Sequence, residues 1–450
     1  MPRWALALGS CIGVAAIVLL VLPLGPIATV IVAALVLVIP LAINRPESAA
    51  LLLTTLTVAF PKAGIKVGDF PFPVFLFGMI VAITILYAKR PRTPLNRWLP
   101  LVLVGYVAIV LARALVAAEY SATATFGLLA WAALPIILFF LSTQLTTSAD
   151  QLRRFAYYGF IIAGVYGLLQ VAFGVDAIAI QGLTFASGDD LSAKNNTIFA
   201  DDGTTSTKIP STYQAGNIFG MVSVLFLAVG LLQVVQRRAS ARIDLVVCAL
   251  ALISIGTSGS RTAIIAAFVA IAIILVKFGR IGQIVGAAFG FVAIATVLVI
   301  LQPALVRRYS FDLAFSDGGS GRTTLWAEAL RHLSPLEILF GMNVWQFQTE
   351  GWVGAIQQLG LVPLLVLCGI AVALSRRRFE KNVVLAVLLV GLIIDSSYLL
   401  FPTWFIPSLL VAGSAGVATS SSRKTGSTEL IEPQEALTNS TTLRARALSR

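Results

Sequence analysis

Histidine, cysteine and charge are what this chain is short of. One histidine, His332, among 450 residues leaves no set of imidazoles to hold a catalytic zinc. The three cysteines, Cys11, Cys248 and Cys368, are odd in number, lie inside apolar runs and form no Cys-x-x-Cys pair. They read as small packing residues, with no disulfide framework and no metal site. Charged residues make up 12% of the chain against 58% hydrophobic, where soluble domains carry about 25% charge. A soluble core cannot hide so much apolar surface, so the class is integral membrane. No Gly-x-x-x-x-Gly-Lys-Ser/Thr loop is present, which argues against a nucleotide-driven machine. The net charge of +12 is scattered in short clusters between apolar runs. That is the pattern of loops facing an anionic leaflet, not of a nucleic-acid surface.

What the chain has instead is a succession of apolar runs. A helix needs about 20 such residues to cross the hydrocarbon core, and internal satisfaction of the backbone makes helices the sensible spans. Runs fall near 4–22, 27–43, 48–60, 74–88, 98–117, 122–143, 155–175, 213–235, 243–257, 262–276, 282–301, 355–374, 382–400 and 403–418. They predict an all-α polytopic membrane protein of about 12–14 transmembrane helices. The third and fourth runs are short and flank Pro61, Pro71 and Pro73, so they are expected to be broken or tilted. The first run is read as an uncleaved span, because no small-x-small site follows it.

Basic residues set the orientation. With the N-terminus in the cytoplasm, 22 of the 32 Lys+Arg fall on the inside and 10 outside, and every second loop is basic, as the positive-inside rule requires. Both termini are then cytoplasmic. Residues 1–418 form one transmembrane domain in the cytoplasmic (inner) membrane, and 419–450 a disordered tail. Inner loops are short, whereas 176–212 and 302–354 are long, polar and extracytoplasmic. No internal repeat of the inverted-transporter kind is visible.

Five constellations carry chemistry. In Gly256-Thr257-Ser258-Gly259-Ser260-Arg261-Thr262 a small, hydroxyl-rich turn leads directly into an apolar run. Arg261 is thereby held at the outer membrane boundary, where an arginine costs about 2.5–3.5 kcal/mol on insertion scales and calls for a carboxylate or an anionic ligand. Reaching up to headgroup phosphates is the alternative. Gly318-Gly319-Ser320-Gly321-Arg322 feeds a predicted amphipathic helix near 323–333. That is an anion-binding arrangement with a forked guanidinium at its mouth, or a flexible loop with a surface arginine. Arg113 sits late in the fifth span, near its outer side. Glu350 and His332 are candidate bases in the second long loop, with plain surface positions as the alternative. Asp395, inside the thirteenth run, is an intramembrane carboxylate suited to neutralising one of the arginines. Arginines converging on one face without metal ligands describe a site for a lipid-linked phosphate or diphosphate.

These residues resemble the O-antigen ligase / O-antigen polymerase family of membrane glycosyltransferases. The resemblance is carried by Ser258-Gly259-Ser260-Arg261-Thr262, by Arg322, Trp326, Pro335 and Gly341 in that order, by Gln358-Leu359-Gly360-Leu361-Val362, and by the segment from Ile209 to Asn217. It covers roughly 205–375. It implies an enzyme on the outer face of the cytoplasmic membrane that moves a glycan from a polyprenyl diphosphate carrier to a glycan or lipid acceptor. Such an enzyme has membrane lipids around it and uses no metal, cofactor or nucleic acid. Arg261 and Arg322 correspond to the arginines that hold the diphosphate, with Arg113 assisting. His332, Asp395 and Ser260 are possible supporting residues. Family ligases carry a histidine shortly before the span that follows the large loop. Here Phe347-Gln348-Thr349-Glu350-Gly351-Trp352 offers Glu350 as the base instead, which leans towards the polymerase branch or towards an uncharacterised relative of the family. A transporter or flippase of lipid-linked sugars is the rival expectation; it needs charges at several depths, and the candidates here gather at one face.

Overall fold

The computed structural model describes residues 41, 43–67, 70–89, 98–116, 149–186, 197–199, 205–236, 241–278, 322–341, 351–375, 379–394 and 405–413, with isolated positions at 129, 137–138 and 286. The expected spans at 4–22, 122–143 and 282–301, most of 27–43, the tail 419–450, and both Glu350 and Asp395 lie outside the described residues.

Within them the chain is nearly all helical. Pro46–Ala59 (α1) and Val74–Lys89 (α2) are the short, proline-flanked pair. Trp98–Val116 (α3) and Ala149–Phe173 (α4) follow. Gly216–Val235 (α5), Ala241–Thr257 (α6) and Arg261–Phe278 (α7) form a consecutive trio. Arg322–His332 (α8) and Pro335–Phe340 (α9) lie in the second long polar segment. Gly351–Leu359 (α10), Leu361–Ser375 (α11), Phe379–Ile394 (α12) and Phe405–Gly413 (α13) complete the series. Three of these stretches, Gln151–Phe173, Gly216–Val235 and Arg261–Phe278, are long and apolar enough to cross a membrane, which supports the membrane class.

Two findings modify the all-α expectation. Between α1 and α2 the chain forms an antiparallel hairpin, Gly64–Val67 (β1) with Phe70–Pro73 (β2). A second hairpin pairs Thr197–Phe199 (β3) with Thr205–Thr207 (β4) inside the first long polar loop. The prolines explain the first. Pro71 and Pro73 cannot donate within a helix, and a two-stranded ribbon accepts them because each strand keeps an unpaired edge.

The expected span 355–374 is likewise not continuous. It breaks at Gly360 into α10 and α11, with φ at +82°, a left-handed turn that glycine makes at little cost. The reason is a backbone-to-backbone seam: a Cβ on Gly341 would come within 2.6 Å of the Gly360 nitrogen. A Cβ on Gly360 would in turn strike the backbone of Phe340 and Gly341. Apolar periodicity carries no trace of such a contact.

The core is organised around α5. This helix has no polar face, and such a helix belongs in the middle of a bundle. It packs against α6, α7, α12 and α13. Glycines on α5 let its neighbours close in, as small residues do between membrane helices: a Cβ on Gly220 would lie 2.6 Å from Ser258 Oγ, and one on Gly230 2.9 Å from Cys248 Sγ. Aromatic rings fill the space towards α4, where Phe160 stacks on Phe226 at 4.4 Å between centroids. On its other side α4 meets α1, and the Thr55 hydroxyl donates to the Phe155 carbonyl at 2.8 Å.

The seam makes a specific demand. Gly360→Ala forces a Cβ into backbone atoms that have no rotamer to give, at an expected cost of about 1–3 kcal/mol. Gly369→Ala, inside α11 and with nothing within 4 Å of the new atom, should hold or slightly raise stability, because alanine suits a helix interior better than glycine. Thermal unfolding of the two variants in detergent checks this; equal melting temperatures would refute the seam.

Candidate functional site

The turn between α6 and α7 is three residues, Ser258 to Ser260, and it is built from its own side chains. The Ser258 hydroxyl donates to the Ile255 carbonyl at 2.7 Å and accepts from the Ser260 amide at 3.3 Å. Gly259 takes φ +65°, which reverses the chain in so short a space. Ser260 caps α7: its hydroxyl accepts from the Ala263 amide at 3.2 Å, satisfying one of the donors a helix start leaves open. Ser260, a possible supporting residue on sequence grounds, thus has a structural role. Arg261 is the first helical residue and is half-buried.

A strap, residues 207–215, crosses this turn before α5 begins. The Ile209 amide donates to the Thr257 carbonyl at 3.2 Å. On its far side the strap is sunk between helices. The Ser211 hydroxyl donates to the Ala163 carbonyl at 2.6 Å, and Gln170 Nε2 donates to the Ser211 carbonyl at 3.1 Å. The buried Tyr213 hydroxyl donates to the Val58 carbonyl at 2.9 Å. Ala163 lies ten residues before α4 ends, or about 15 Å of helix, so the strap occupies a recess below the end of the bundle. Ser211 has φ +53°. A non-glycine residue held there costs of order 1–3 kcal/mol, and such positions gather at functional sites. The hydrogen bonds on either side of it hold it in place.

The first turns of α5 and α7 contain no acidic residue, so no side chain of those turns offsets the positive dipole end of either helix. Lys208 Nζ donates to Asn217 Oδ1 at 3.1 Å, beside the start of α5.

The second long segment docks nearby. Arg322 opens α8 as the glycine-rich motif implies. Trp326 meets Trp352 edge-on at 6.2 Å, and Gly351 makes room for Trp326, since a Cβ there would lie 2.7 Å from its ring. A capping box starts α9, with Ser334 accepting from the Glu337 amide and the Glu337 carboxylate accepting from the Ser334 amide at 2.8 Å. Helix α9 packs against α3, the helix that carries Arg113, and α10 packs against α12, which packs against α7. The arginine-bearing helices are therefore joined through one set of packed elements. Of Arg113 and Arg322 only the backbone is described. His332 is exposed in the last turn of α8, where a basic side chain complements the helix end. Trp326, Gly341, Gly351 and Gly360 all fall in segments that stand out in the sequence; the contacts of Trp326 with Gly351 and of Gly341 with Gly360 were not legible there.

Sequence reasoning missed a buried polar cluster at the opposite end of α4. Arg153 is 3% exposed, and Tyr157 and Asp244 are fully buried. The Arg153 guanidinium stands 5.9 Å from the Tyr157 ring centre, and Asp244, Arg153 and Cys248 all act electrostatically on the Tyr157 hydroxyl. Hydropathy had assigned Arg153 to a loop. Asp244, lying inside an apolar run, was the available signal. Among the described residues no group of three or more metal-ligating side chains is present.

Compared with models of protein families, with curated proteins and with solved structures, the chain matches none.

Two substitutions separate the cap from the anion-attracting role of the turn. Ser260→Ala removes the cap and should cost about 1 kcal/mol. Ser260→Asp restores a cap of equal quality but places a carboxylate beside Arg261. Melting temperature should fall for Ser260→Ala and recover for Ser260→Asp, while binding of farnesyl diphosphate falls most for Ser260→Asp. Undiminished binding in that variant would show that the turn is not an anion site.

Proposed function

We propose that this chain is a membrane glycosyltransferase that polymerises or ligates a polyprenyl-diphosphate-linked glycan on the outer face of the cytoplasmic membrane, in the assembly of a cell-surface polysaccharide. The observation that carries the proposal is the half-buried Arg261 at the start of α7, next to the turn that the strap crosses, with no acidic residue in the first turns of α5 and α7. An anion at the end of an apolar bundle is what such a place attracts, and a lipid-linked diphosphate supplies both the charge and the membrane anchor.

The reaction needs little beyond charge and position. An acceptor hydroxyl attacks the anomeric carbon of the donor sugar, and the bond from that carbon to the diphosphate oxygen breaks. The electron pair leaves with the polyprenyl diphosphate, and the hydroxyl proton passes to the Glu350 carboxylate. Arg261 and Arg322 neutralise the diphosphate as its charge grows in the transition state, where fixed charges act most strongly. Arg113 adds a third positive charge, and Asp395 balances the arginine cluster. The anchoring of α8 and α10 through Trp326 and Gly351 supports a fixed geometry between Arg322 and the span that follows.

Purified protein in lipid, supplied with a lipid-linked repeat unit, should lengthen or transfer the glycan and release the carrier diphosphate. Movement of the intact substrate across vesicles with no carrier release would favour a flippase. Arg322→Lys keeps the charge but loses the two-pronged guanidinium. Turnover should fall about 10- to 100-fold, the range of a lost charged hydrogen bond; wild-type turnover would remove Arg322 from the site.

A further inference from the structure

The second long segment is polar by sequence, yet it leaves large apolar side chains outside. Among its described residues Leu325, Leu336, Leu339 and Trp352 are exposed, Leu336 at 61%. One exposed leucine is ordinary on any protein. Leu336 and Leu339, however, are three residues apart on α9 and share a face. Helix α8 is sided as well. Trp326, Ala329, Leu330 and Leu333 are half-buried or buried, whereas Thr324, Glu328 and Arg331 are exposed at the spacing of one helical stripe. Only Leu333 and Ser334 separate α8 from α9. The Ser334 hydroxyl accepts from the Glu337 amide at 3.3 Å and so fixes where α9 begins. The two helices form one elbow.

What covers the leucines follows from where α9 sits. Its end is held in the seam of Gly341 with Gly360, and it packs on α10, α11 and α3. Helix α11 starts directly after that seam and contains no charged residue. It exposes Leu365 and Val366, about 6–8 Å along the helix from its first residue. Helix α3 exposes Leu111 and Leu115 in its last turns. The apolar face of α9 thus borders helices whose own outward sides are apolar, the sides that meet acyl chains in a membrane protein. Beside it stands the edge-on pair of Trp326 and Trp352, and tryptophan favours the headgroup level of a bilayer.

We propose that the α8–α9 elbow is an interfacial anchor whose partner is the lipid surface. Leu336 and Leu339 sit among the outermost acyl chains, the tryptophan pair lies at headgroup level, and the Thr324–Arg331 stripe faces water. The anchor keeps the start of α8 at the depth of the headgroups. The proposal rests on the membrane class of the chain and not on the glycan chemistry above.

Photo-cross-linking of full-length protein in nanodiscs of phosphatidylethanolamine and phosphatidylglycerol tests it. The probe, p-benzoylphenylalanine, replaces Leu336 or Leu339, Glu328 on the polar stripe, or Leu365 on α11 as the membrane reference. All four positions are exposed, so the bulky side chain is accommodated. After irradiation, mass spectrometry reads the adducts. Leu336 and Leu339 should give lipid adducts within about threefold of Leu365 and at least about tenfold above Glu328, because an interfacial helix meets acyl chains on one side only. Adducts at Leu365 with none at Leu336 and Leu339 overturn the anchor and leave the membrane class standing. No lipid adduct at any position overturns both. Cross-links from Leu336 or Leu339 to peptide, in the same chain or a second copy, assign this face to a protein contact and overturn the anchor. Lipid adducts at Glu328 as strong as at Leu336 mean an immersed elbow, not one lying at the surface, and overturn it as well.

Discussion

The close approach of α5 to its neighbours is the contact on which the rest depends. Inside a bilayer, burying apolar surface between helices gains little over burying it against lipid, so association relies on dispersion at short range. Gly220 and Gly230 give α5 two places where α6 and the turn into α7 come near its axis. Had Gly220 carried a side chain, the Ser258–Ser260 turn would stand further out. The strap would then lose the carbonyl of Thr257 that it is tied to. The position of Arg261 is a consequence of that packing, not of local sequence alone.

The polar residues divide between the two ends of this apolar body in different ways. At the recessed end, hydroxyls and amides are spent on backbone groups: Ser211 on Ala163, Gln170 on Ser211, Tyr213 on Val58. These bonds fix the strap against α4 and α1. At the opposite end, Arg153, Tyr157 and Asp244 are shut inside the bundle together. Desolvation of buried charges offsets much of their mutual attraction, so such a cluster adds little net stability. One end thus ties a loop to the helices, and the other gathers charge inside them.

Much of the helical frame was legible in the sequence, because long apolar runs bounded by basic residues have few other readings. The bounds of α5, α6 and α7 lie within a few residues of the expected spans. The Ser258–Arg261 turn was legible for a local reason: small hydroxyls, a glycine and an arginine between two apolar runs leave room for little else. The strap's anchorage was not. Tyr213 and Val58 are 155 residues apart in the chain, and Ser211 and Ala163 48, and no periodicity links such positions. The hairpin at 64–73 was hidden by its shortness, and the break at Gly360 by the apolar residues that continue across it.

The buried cluster has a consequence for how the protein is made. Asp244 follows Arg153 by 91 residues, so α4 is synthesised well before α6. Until α6 arrives, the guanidinium at the head of α4 has no reason to leave the headgroup layer, where lipid phosphates solvate it. The buried surroundings that Arg153 and Asp244 share around Tyr157 are complete only once α6 has packed. Insertion and final packing are therefore separate events for this part of the chain, and the later one waits on the ribosome.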